Sequence, residues 1–364
     1  MFRVRARTDE YFPCRQILSA RLTEILIVSC LEPRREVMTT QSPIFHGLSL
    51  LAAFLVVPAL APAPAVAAGS SPRAWVSNAG IDAPGCGSVM TPCRQLQYAH
   101  DNVVEPGGSI YVKDPAGFAS LVIRNAISII NDGSGTAALF VASGDAIDVQ
   151  AGPNDAVFIT GLVIDGVGTG NNGINLISGG SLTVTDCVIK GFSASFPNGN
   201  GIAIQPSSGA AQVDVHDTIA SNNTLGVYLA PQGSASVDAT LKNVEFNKNA
   251  DGLAVAGYAT NGTVSVTVEH STASGNGNTG VSVAGNSSGN ANARLVATDV
   301  SASHNLYGFY VGAGAVAYFS SSSATENSGW GVSVAGTAFT LQNNLFRDNA
   351  NNVSGSLTGS GPGD

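Results

Sequence analysis

From Gly173 onward the chain repeats a four-residue step: a glycine, an apolar residue, a small or polar residue, and a second apolar residue. The copies are Gly173-Ile-Asn-Leu176, Gly201-Ile-Ala-Ile204, Gly226-Val-Tyr-Leu229, Gly252-Leu-Ala-Val255, Gly280-Val-Ser-Val283, Gly308-Phe-Tyr-Val311 and Gly331-Val-Ser-Val334, with glycines 23 to 28 residues apart. Ala146-Ile-Asp-Val149 is a related earlier step. Apolar residues at alternate positions predict short strands with one buried face. A second alternating segment precedes several of the glycines, as in Leu182-Thr-Val184, Val213-Asp-Val215, Val266-Thr-Val268 and Phe339-Thr-Leu341. Between the two lie polar corners ending in Asn223, Asn249, Asn276, Asn305, Asn327 and Asn349. Stacked at the strand spacing of about 4.8 Å, these asparagines are expected to form an amide ladder.

Two or three short strands per repeat, with no helical period, describe an all-β chain wound as a parallel β-solenoid. Helical repeats fail because Gly, Ser, Thr, Asn and β-branched residues dominate each unit. A propeller fails because a blade takes roughly 40 residues or more. Residues 109–353 are assigned to the coil, in about ten rungs, with Ile174, Ile202, Val227, Leu253, Val281, Phe309 and Val332 as one inward column. Residues 69–108 read as an N-terminal cap, with a short helix over Thr91–Ala99 and a turn at Pro106-Gly-Gly entering the first strand. Residues 354–364 read as a flexible tail.

Composition changes the picture in two ways. Only 11% of residues are charged, and the net charge is −9. With no basic run in the body, nucleic acid is excluded as an expected partner. The apolar run Leu48–Leu60 is too short for a membrane span and leads to small residues at Ala65, Ala67 and Ala68. Residues 1–68 therefore read as an extension plus a signal peptide, starting at Met1 or Met38, and the mature chain is expected to be secreted, unanchored and monomeric. In an oxidising compartment Cys86 and Cys93 would close a short disulfide loop, while Cys187, inside an alternating apolar run, would be buried and free.

Trp75-Val-Ser, Cys86, Thr91-Pro-Cys93, the following helix, Pro106-Gly-Gly-Ser-Ile-Tyr-Val112 and the glycine rungs together resemble the bacterial secreted right-handed parallel β-helix proteins of the pectin-lyase-like superfamily. The resemblance covers about residues 73–353. It implies the fold and leaves the function open, because the same coil serves polysaccharide lyases, glycoside hydrolases, uronate epimerases, tailspikes and adhesins. The lyase members imply calcium-binding carboxylates and a basic residue along one sheet, and the polygalacturonase-like members imply paired aspartates with Gly-His-Gly.

The third positions of the repeats read Asp148, Asn175, Ala203, Tyr228, Ala254, Ser282, Tyr310 and Ser333. One carboxylate without Lys or Arg cannot run the lyase chemistry, and no carboxylate pair for glycoside hydrolysis is legible there. Asn175, Tyr228 and Tyr310 are the candidate ligand-binding residues, and Tyr258 and Trp330 are further aromatics able to stack on sugar rings. A second outward row reads Thr185, His216, Lys242, Glu269, Thr298, Ser320 and Gln342, beside Asp186, Asp217, Asn243, His270 and Asp299. His216, Lys242 and Glu269 are the candidate acid–base cluster, set against the reading of a solvated face with balanced charge. No cofactor or structural metal is assigned; Asp145, Asp148 and Asp155 beside Asn154 are the one patch considered for calcium. The expectation is a non-catalytic extracellular module binding carbohydrate or a cell surface, and the alternative is a polysaccharide lyase, glycoside hydrolase or uronate epimerase.

Overall fold

The computed structural model describes residues 69–287 and 291–359. Residues 1–68, expected to be an extension and a signal peptide, and residues 360–364 lie outside the described residues; Leu357–Gly359, read above as part of a flexible tail, instead pairs with Thr337–Thr340 as the last strand.

Two parallel sheets wind through the described chain. One has ten strands, running from Leu121–Ile123 through Ile147–Gln150, Asn172–Ser178, Asn200–Ile204, Leu225–Leu229, Asp251–Ala256, Thr279–Ala284, Tyr307–Val311 and Trp330–Val334 to Asn351–Ser354. This sheet carries the glycine repeats. The other has eighteen strands and forms two adjoining walls of the coil, and its longer members, such as Ser236–Glu245, turn from one wall into the next.

Register follows the repeat. Ile174 pairs with Ile202, then Val227, Leu253, Val281, Phe309 and Val332 in successive strands. All seven are buried in one core cluster. Opposite them Leu182, Val213, Ala239, Val266, Leu295 and Ala317 form a second in-register column. Each rung thus covers the apolar face of its neighbours, and nearest-neighbour burial holds the stack together.

Two corners shape each rung. At the bend between the two walls a single residue takes the left-handed conformation: Gly161, Asp186, Asp217, Asn243, His270, Asp299, Ser321 and Gln342, with φ between 48° and 74°. Asp and Asn dominate because their short polar side chains tolerate that region best after glycine. Gln342 is therefore a corner residue, in correction of the row assigned to it above. Phe319 pairs with Thr340, so the strand position beside Ser320 falls to Leu341.

At the other corner the asparagines form the ladder. The backbone N–H of Asn223, Asn249, Asn276, Asn305 and Asn327 each donates to the Oδ1 of the asparagine in the next rung, at 2.8 to 2.9 Å. The side-chain amides of Asn249, Asn305 and Asn327 donate to the carbonyls of Ala220, Ala273 and Ala302. A bend that would leave backbone groups without partners in the interior is thus satisfied from within.

The N-terminal end departs from the expected boundaries. The first strand is Ser71–Val76, in the region assigned to the cap, and it pairs in parallel with Val104–Val112, which straddles the assigned boundary at 108. The helix spans Leu96–Asn102 rather than Thr91–Ala99. Cys93 bridges to Val76 in extended form, and Asp82 Oδ1 accepts from the backbone N–H groups of Arg94 and Gln95, so the helix begins only after them. Cys86 and Cys93 are disulfide-bonded, and Cys187 is free and buried. Burial pushes the Cys187 thiol up to about 11, so it is not a nucleophile at neutral pH.

Candidate functional site

Two surfaces hold the residues that the sequence singled out. The first is the bend between the two walls. Thr185, His216, Lys242, Glu269, Thr298 and Ser320 are direct cross-strand partners in that order. Because the next residue is left-handed, the corner throws Asp217, Asn243, His270 and Asp299 outward beside them. His216, Asp217, Lys242, Asn243 and His270 line a shallow open depression. His216 Nδ1 lies 3.1 Å from both Thr185 Oγ1 and Asp217 Oδ2, and His270 Nδ1 lies 2.7 Å from Asp299 Oδ2. Asn243 donates to Asp217 Oδ1, and this bond, followed by that from His216, holds the Asp217 carboxyl below its ordinary value. The groups face water on an outer edge, where ion pairs contribute little. A general acid wants its carboxyl pushed up by burial; Asp217 is shifted the other way.

The second surface is the outer face of the ten-stranded sheet. Asp148, Asn175, Ala203, Tyr228, Ala254, Ser282, Tyr310 and Ser333 are in register across eight strands. The residue before each repeat glycine shares this face, since Asn175 Nδ2 donates to Asp145 Oδ2 at 2.8 Å and the Tyr307 and Tyr310 rings lie 6.5 Å apart. At the N-terminal end Asp145 and Asp148 contact each other between Asn172 and Asn175. Desolvation first, then Asp145, pushes the Asp148 carboxyl up to about 6. Asp155 Oδ2 accepts from the backbone N–H of Gly152 in its own turn.

In the middle of this face the expectation for Tyr228 needs correction. Its ring is buried, with only 6% exposed, in a small external cluster with Leu225, Ala230 and Ala256. The loop between Lys190 and Asn200 crosses above it, placing Phe196 edge-on at 5.7 Å, and its hydroxyl lies 3.4 Å from that of Tyr258. Nothing in the repeat itself announces this, because the cover comes from an insertion. Toward the C-terminal end Tyr310 is exposed, and Tyr307 and Trp330 are cross-strand partners beside it. Phe196 and Tyr307 were missed from sequence; Tyr307 was recoverable, since it precedes Gly308 as Trp330 precedes Gly331.

Asp148 gives a pH-dependent expectation. Its folded-state value lies above its ordinary 3.8, so the native protein holds the extra proton between about pH 4 and 6. Stability from this group therefore falls as pH rises through that window and stays lower above it. Asp148→Asn keeps an acceptor for Asn175 and removes the penalty. It should raise unfolding free energy at pH 7.5 by about 1 kcal/mol, the full linkage being reduced by solvent screening at this half-exposed site, and change nothing at pH 3.5. Denaturant unfolding at the two pH values reads both.

Residues 147–295 match the family described as the right handed beta helix region. The coil is a right-handed parallel β-helix. No curated protein and no solved structure matches the chain. The matched segment runs from the strand carrying Asp148 to the one carrying Leu295, so it contains the corner depression, Asp148 but not Asp145 of the acidic pair, and the covered part of the ten-stranded sheet. Tyr307, Tyr310 and Trp330 lie beyond it. Among the described residues no helix is long and apolar enough to cross a membrane.

Proposed function

We propose that this β-helix is a secreted glycan-binding module related to the pectin-lyase-like proteins, and that it binds on the outer face of its ten-stranded sheet. The observation that carries this reading is the group formed by Tyr307, Tyr310 and Trp330, in-register aromatics on two consecutive strands of a weakly charged surface. Aromatic rings bury the apolar faces of sugars at small entropic cost, and a sheet repeating every 4.8 Å or so presents them at intervals along a polymer. A screen of purified protein against immobilised glycans tests it. Tyr310→Ala and Trp330→Ala are each expected to weaken binding to the best ligand by at least tenfold while leaving the unfolding midpoint within 1–2 °C. Absence of binding to every glycan would overturn the proposal. Tyr228→Ala is a poor probe of the same question, because emptying a buried site costs stability whether or not a ligand is held.

The second reading, a polysaccharide-cleaving or epimerising enzyme, draws on the cross-strand alignment of His216, Lys242 and Glu269. It predicts release of unsaturated or reducing ends that falls at least a hundredfold in His216→Ala and Glu269→Ala.

A further inference from the structure

We infer that the glycan is neutral, and that it lies on the two-strand floor of Ala254 and Ser282 between two aromatic walls. This rests on the binding reading above and specifies its ligand. Tyr228 and Tyr310 are separated by three strand-to-strand steps, through Ala254 and Ser282. At about 4.8 Å per step the walls stand roughly 14 Å apart, measured along the backbone. On the Tyr228 side the wall is raised by Phe196 and Tyr258, whose outer surfaces are 61% and 56% exposed. On the Tyr310 side it is raised by Tyr307 and Trp330. The methyl and hydroxymethyl groups of the floor leave space for about two sugar rings end to end between the walls.

Charge selects among sugars. Along the two outward rows of this face the charged side chains in the described repeats are Asp145, Asp148 and Asp251, with no Lys or Arg in either row. Asp251, beside the floor, accepts through Oδ1 from Asn278 Nδ2 at 2.9 Å and from the Thr279 N–H at 3.0 Å. Those bonds fix the carboxylate and offer its second oxygen as an acceptor for a sugar hydroxyl. A uronate or sulfated sugar would instead bring its anion against a fixed anion, with no Lys or Arg among the described residues of either row to bridge them. Neutral sugars bring hydroxyl donors to that second oxygen and carry no charge to repel.

Affinity electrophoresis of the full chain through gels containing a series of neutral glucans, mannans and xylans, and separately polygalacturonate, tests this, with affinities for the best retarding glycan measured by calorimetry. At least one neutral polymer should retard the protein, and polygalacturonate should not, at low or physiological salt. Ala254→Trp and Ser282→Tyr, which fill the floor from outside the core, should each weaken neutral binding at least tenfold with the circular dichroism and unfolding midpoint of the parent. Neutral binding that is unchanged in both variants would overturn the floor as the subsite. Retardation by polygalacturonate that is lost in Tyr310→Ala would overturn the neutral class while leaving a glycan-binding face. Retardation by none of the polymers would overturn both.

Discussion

Asn305→Ala should lower the unfolding free energy by about 3–5 kcal/mol. Asn305 is buried in the ladder, where Oδ1 accepts from the backbone N–H and the side-chain amide of Asn276 at 2.8 and 3.1 Å. Its own amide donates to the Ala273 carbonyl at 2.9 Å. Truncation strands a buried donor on one side and a buried acceptor on the other, each costing roughly 1–3 kcal/mol, on top of the volume lost. Asn349 makes the equivalent bonds at a half-buried position, where water can replace them. Asn349→Ala should therefore cost only about 1 kcal/mol. Urea unfolding of both variants measures the contrast, and equal shifts would show that ladder depth does not set the cost.

Phe309→Ala carries the second large effect. The ring is fully buried, with the rings of Phe319 and Phe346 at 5.0 and 6.1 Å, so one substitution opens a cavity shared by three walls of the coil. The expected loss is about 3–5 kcal/mol. In a stack held by nearest-neighbour contacts the damage should stay local. Hydrogen exchange should accelerate in the strands Ala293–Ser303 through Trp330–Val334 and remain near parental in Asn172–Ser178 and Asn200–Ile204. Uniform acceleration along the chain would contradict the local-coupling picture.

Much of the candidate site was legible because register in this fold is one-dimensional. Once each Gly-apolar-x-apolar step is superposed, Asp148, Asn175, Tyr228 and Tyr310 must share a row. The same counting brings His216, Lys242 and Glu269 together, since a parallel ladder allows no other partner. The counting failed at Gln342, where a shorter rung moved the corner by one residue. It also failed at the helix, where Asp82, distant in sequence, holds the N–H groups of Arg94 and Gln95, which the local pattern places inside the helix.

The sequence by itself therefore determined the strands, the inward columns and the asparagine ladder, because alternation and corner chemistry are local and each rung repeats the one before. Only the tertiary structure decided which outward residues meet solvent. An outward position is equally polar or aromatic on paper whether or not a loop lies over it, and the insertion bearing Phe196 covers Tyr228 while leaving Tyr310 open. The pairing of Asp145 with Asp148 was likewise a matter of folded geometry. Two carboxyls three residues apart share one face only because the chain bends at the start of the repeat, and the resulting desolvation and repulsion move Asp148 to about 6.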